Sequence, residues 1–77
     1  MSNPPTMYTP GDVARLLGVN PKTVTRWCVE GRLAAYRTPG GHRRIPAEAV
    51  LGLLQEMGVE EDAARAMLAG LARRAAS

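Results

Sequence analysis

The chain has no phenylalanine, one cysteine, one histidine and only three other aromatic residues among its 77. A single cysteine excludes an internal disulfide, and with it the disulfide-stapled secreted scaffolds. One Cys and one His do not make a zinc site unaided. No apolar run approaches the ~18 residues of a membrane-spanning helix, so no membrane partner is expected. Met1-Ser2-Asn3-Pro4-Pro5 has neither a basic n-region nor an apolar h-region. A secretion signal is therefore not expected, and a cytoplasmic protein is. No phosphate-cradling glycine loop, nucleophile motif or poised carboxylate pair occurs, so no enzyme, cofactor or metal is expected. Val, Leu, Met and Ala are left to fill the core. A chain this short makes one domain and buries only roughly 60% of its extended-state surface.

Acidic charge is scarce in one stretch. Seven of the ten basic residues lie from Arg15 to Arg44: Arg15, Lys22, Arg26, Arg32, Arg37, Arg43 and Arg44. Glu30 alone opposes them there, so that stretch sums to +6 and the rest of the chain to −3. An overall charge of +3 fits a nucleic-acid partner without requiring one. The concentration of charge is the stronger signal.

Local chemistry divides the chain. Residues 1–7 are polar and Pro-bearing and read as a flexible lead-in. Thr9 is an N-cap, with Pro10 at the first helical position and Asp12 able to complete a capping box. Val13, Leu16 and Leu17 form an apolar helix face, and Gly18 stops the helix. Asn20 and Pro21 open a second helix, with Val24, Trp27 and Cys28 inward and Gly31 at its end. Two short helices joined by a tight Gly-Val-Asn turn make a helix-turn-helix. Leu33–Thr38 and His42–Ile45 read as a two-stranded hairpin. Pro39-Gly40 is placed at the centre of a type II turn, which needs positive φ at Gly40. Such a hairpin must lean on the helices, being unstable alone. Pro46 opens a third helix with Val50, Leu53, Leu54 and Met57 inward and Gly58 as its stop. A fourth runs from Glu60 to Ala76, Ala-rich, with Ala64, Met67, Leu68 and Leu71 as a narrow stripe. Its acidic start and its basic end, Arg73 and Arg74, suit the helix dipole.

The residues that carry chemistry are on the second helix and the hairpin. Lys22 and Arg26 are spaced i, i+4 and share a face. Thr23 and Thr25 add hydroxyls and methyls suited to phosphate or to the thymine methyl. The plainer reading makes these four a solvated helix surface. Gly40-Gly41 lets backbone approach a sugar-phosphate wall, with His42, Arg43 and Arg44 beside it as donors, which favour the negative minor groove. The plainer reading is a Pro-Gly turn with solubilising charges. Trp27 and Cys28 read as packing.

The arrangement Tyr8-Thr9-Pro10, Val13-Ala14, Leu17-Gly18-Val19, Thr23-Val24-Thr25-Arg26-Trp27, Gly31-Arg32-Leu33 and Arg37-Thr38-Pro39-Gly40-Gly41-His42-Arg43-Arg44 resembles the MerR-type winged helix-turn-helix. The likeness covers roughly residues 7 to 57 and is nearest to the small, effector-less BldC-like branch. It implies a mainly α fold with a short two-stranded β-hairpin wing, here with an added C-terminal helix. Residues 8–57 would be the DNA-binding domain and 58–77 the helix. It implies a bacterial transcription regulator that binds duplex DNA, with Asn20 to Glu30 in the major groove and the hairpin at the minor groove or backbone. Carried over by position, Lys22, Thr23, Thr25 and Arg26 would contact DNA from the helix. Arg37, His42, Arg43 and Arg44 would do so from the wing. Only 19 residues follow Gly58, too few for both a dimerising coiled coil and an effector site, so metal or drug sensing is not expected. Expected partners are double-stranded DNA, other copies side by side on repeated half-sites, and RNA polymerase. Two alternatives stay open: a phage-type excisionase or other DNA-bending protein, and a protein-interaction module docking through its C-terminal helix.

Overall fold

The structure is a computed structural model that describes residues 7–76. All of the expected flexible lead-in except Met7 lies outside the described residues. In chain order the elements are β1 (Met7–Tyr8), α1 (Pro10–Leu17), α2 (Pro21–Val29), β2 (Tyr36–Arg37), β3 (Arg43–Pro46), α3 (Ala47–Glu56) and α4 (Glu61–Ala76). The fold is a mostly helical winged helix-turn-helix.

Local hydrogen bonds set the helix ends. The Asp12 N–H donates to Thr9 Oγ1 at 3.1 Å, and the Thr9 N–H donates to Asp12 Oδ2 at 3.0 Å. This is a complete capping box, and a cap of this kind is worth about 1 kcal/mol. At α2 the Asn20 side chain accepts from the Lys22 N–H at 2.8 Å. That helix ends in a Schellman motif: the Arg32 N–H donates to Trp27 O and the Gly31 N–H to Cys28 O. Val59 and Gly58 close α3 in the same way, onto Leu54 O and Gln55 O.

The core is one cluster built from every element except β2. Val13, Val24, Ile45, Val50 and Ala64 are fully excluded from water, and Tyr8, Ala14, Leu33, Leu53, Leu54 and Leu71 nearly so. Met67 and Leu68 pack partly against it. α4 lies on α3 and α1, so its apolar stripe is used inside the domain.

Four expectations are corrected. The sheet has three antiparallel strands in the order β1-β3-β2, not two. Met7 pairs with Pro46 and Tyr8 with Ile45, so Met7 belongs to the sheet and Tyr8 to the core. Within Leu33–Thr38 only Tyr36 and Arg37 are strand; Leu33 is instead a buried plug after the α2 cap. Met57 is exposed: its N–H still donates to Leu53 O, but it is the C-cap, at the end of the α3 face that packs on the core.

The fourth correction is the turn. Gly41, not Gly40, has positive φ, at 85°. The Gly41 N–H donates to Thr38 O at 2.8 Å and the Thr38 N–H to His42 O at 2.8 Å. Pro39-Gly40 therefore fit the centre of a type I turn, followed by a left-handed Gly41, the three-residue hairpin connection. A turn of this kind matches the right-handed twist of the flanking strands, which a plain type II turn would splay.

Candidate nucleic-acid interface

Helix α2 buries one side and exposes the other. Val24 is fully buried; Trp27 and Cys28 are half-buried against the core. At 100° per residue the opposite face carries Lys22, Thr25, Arg26 and Val29. Lys22 and Arg26 are exposed and Thr25 is half-buried. Thr23, also half-buried, projects on the Trp27 side rather than with Lys22 and Arg26. The four sequence-selected helix residues thus divide: Lys22, Thr25 and Arg26 share a face, and Thr23 flanks it.

Strand register sorts the wing in the same manner. Arg37 pairs with Arg43, and Tyr36 with Arg44. Side chains alternate along a strand, so Arg43 shares the face of buried Ile45, and Arg37 lies opposite it on that face. Tyr36, Arg44, Pro46 and Met7 occupy the outer face. Arg43 and Arg44, adjacent in sequence, therefore point to opposite sides. Arg44 turns back along the strand, with Nη1 donating to the Arg43 carbonyl at 3.1 Å.

The wing tip is slender. Residues 39–42 are all exposed, and three of them are Pro39, Gly40 and Gly41. His42 is anchored by its N–H, which donates to Thr38 Oγ1 at 3.3 Å. Its ring lies near Gly40, where an added Cβ would stand 3.5 Å from Cδ2. Arg37 reaches along the tip: an added Cβ at Gly41 would be 3.7 Å from its Nη2.

One wing residue, Arg43, is within electrostatic reach of helix α2. Burial pushes the Cys28 thiol up from its ordinary value, and the positive charge of Arg43 partly opposes that. Sequence alone gives Cys28 a packing role with no basic neighbour, since Arg26 points away. The structure supplies one in Arg43, brought by the sheet from fifteen positions on. A raised thiol is a poor nucleophile at neutral pH, so the packing role stands.

Among the described residues, none of Lys22, Arg26, Arg37, Arg43 and Arg44 forms a salt bridge. The Glu61–Arg65 pair, at 3.1 Å, is on α4. Two further cations are outside the set selected from sequence. Arg15 is exposed in the last turn of α1. Arg32 is exposed, with its guanidinium 5.8 Å from the centroid of the Trp27 ring, a cation–π contact that restrains it beside α2. Their signal is the basic stretch itself, which contains both.

Residues 7–58 match the helix-turn-helix domain family, and the chain belongs to it. The match spans β1 to the end of α3, including both helices of the motif and the wing. This is a family of DNA-binding domains and not an enzyme family. No curated protein matches the chain. Among the described residues no helix is long and apolar enough to cross a membrane.

Proposed function

We propose that the protein is a sequence-specific regulator of transcription that binds double-stranded DNA, MerR-like and of the small BldC-like type. Helix α2 enters the major groove, which is wide enough to admit a helix. The β2–β3 wing lies at the minor groove or along the backbone, and the protein acts in the cytoplasm at the nucleoid. The observation that supports this best is the set of cations without ion-pair partners on helix α2 and the wing, with Arg43 of the wing within electrostatic reach of α2. Lys22 and Arg26 on α2, and Arg37 and Arg43 on the wing, form no ion pair with a carboxylate among the described residues. Phosphates supply that neutralisation and release counterions as they do so.

One copy meets few phosphates, so a single half-site is bound weakly and with steep salt dependence. Neighbouring copies on repeated half-sites supply the remaining affinity, and RNA polymerase is the machinery on which the bound array acts. The test is a titration of one half-site and of tandem half-sites at several salt concentrations. Tighter binding per site on the tandem duplex is expected; equal affinity per site removes the cooperative part, and no sequence preference at any salt removes the regulator.

The family also occurs in excisionase-like proteins, which supports a second reading as a DNA-bending recombination factor. A bend measured by energy transfer between duplex ends, together with an integrase gene beside this one, favours that reading. Docking through α4 has less support, because Ala64 and Leu71 are buried within the domain.

A further inference from the structure

We infer that Val29 reads a base: its side chain packs against the 5-methyl group of a thymine in the major groove. The inference deepens the proposed function and rests on α2 being the major-groove helix. Val29 is 69% exposed, the most exposed of the large hydrophobic residues among those described. A lone exposed valine needs no explanation; the register of this one does. Counted from Lys22, the positions i, i+3, i+4 and i+7 are Lys22, Thr25, Arg26 and Val29, one continuous stripe on a helix. One helix-turn-helix variant, the homeodomain, presents its base-contacting side chains at this spacing.

The stripe runs roughly 10 Å along the axis, about three base steps at ~3.4 Å each. Lys22 and Arg26 supply donors, which suit guanine or phosphate. Val29 supplies neither donor nor acceptor, and the one apolar group in the major groove is the thymine methyl. Its position is firm: the Schellman bonds of Gly31 and Arg32 fix the turn that carries it. Helix formation does not account for it, because a β-branched residue at an exposed helical site is a poorer helix former than alanine. Burial does not either, since Val24 and Cys28 already fill the inward side of that turn.

The test uses the full chain and a duplex that it selects from a random library. Each thymine of that duplex is replaced in turn by deoxyuridine, which removes only the methyl group. At one position the wild-type chain is expected to lose about fourfold in affinity, the worth of one buried methyl. Val29→Ala should lose about as much on the unmodified duplex and nothing further on the deoxyuridine one. Its thermal unfolding should be unchanged or improved. Thr25→Ser, which removes the other methyl of the stripe, should retain the deoxyuridine effect. The inference is overturned if no thymine is sensitive, if Val29→Ala keeps the full sensitivity, or if Thr25→Ser alone abolishes it. Failure of the chain to select any sequence overturns the proposed function itself, a separate result from selection without methyl sensitivity.

Discussion

Arg37 and Arg43 stand directly opposite one another on β2 and β3, two cations paired across the wing with no carboxylate between them. Like charges in directly opposed positions destabilise a sheet. The free protein carries that cost, and under the proposed function bound phosphate would relieve it. Replacing Arg37 with Gln should therefore leave the fold unchanged or slightly more stable while weakening DNA binding. The slope of log affinity against log salt should become shallower by about one for each phosphate that is no longer neutralised. Denaturant titration and salt-dependent binding on the same variant check the two opposite signs.

Lys22 and Arg26 share a face but are expected to differ in what they read. Arg26→Ala should cost about 1–3 kcal/mol on the preferred site and relax base preference there, as removal of a bidentate arginine–guanine pair does. Lys22→Ala should weaken all duplexes alike. Binding to the selected duplex and to scrambled duplexes separates the outcomes; a uniform loss for Arg26→Ala reassigns it to phosphate.

The turn gives a contrast between neighbours. Gly41 has φ 85°, and an added Cβ there meets nothing closer than 3.7 Å. The cost of Gly41→Ala is then backbone strain, about 1–2 kcal/mol. Gly40 lies outside the left-handed region, and its added Cβ makes an ordinary 3.5 Å approach to His42. Gly40→Ala should be nearly neutral. Thermal unfolding of the two variants checks the order; equal effects contradict the turn.

Alkaline stability follows from two protons. Burial raises Cys28 above its ordinary 9.0, against the pull of Arg43. Burial and then the charge of Asp12 raise Tyr8 above its ordinary 10.0. The unfolded chain releases these protons at lower pH than the folded one does. Their contribution is whole below pH 9.0 and is lost as pH rises through each folded value. The double variant Cys28→Ala, Tyr8→Phe should show a flatter fall of urea midpoint between about pH 8 and 11 than the parent.

The legible parts of the sequence are those decided locally. Thr9 with Asp12, Asn20 with Pro21, and the three glycines Gly18, Gly31 and Gly58 mark helix ends through bonds to residues a few positions away. β1 cannot be read so: two residues carry no periodicity, and their partner is β3, far along the chain. The hairpin tip holds two adjacent glycines, and hairpin twist rather than turn chemistry decides which of them is left-handed. In the candidate interface, residue types are legible but faces are not. A one-residue change of register would exchange Arg43 with Arg44. Val29 carries no charge or polar group to single it out, although its spacing from Lys22 is plain in the sequence.

The two edges of β3 close on very different terms. β2 reaches it through a turn of three residues, from Thr38 to His42. β1 must be brought to it from the far end of the domain, Tyr8 to Ile45. The longer closure costs about 2 kcal/mol more in chain entropy. Folding should therefore form the hairpin early and seat Tyr8 late. Hydrogen exchange should then find the β1–β3 amides opening before the α2 amides, so the wing would lose its fixed angle while helix α2 is still intact.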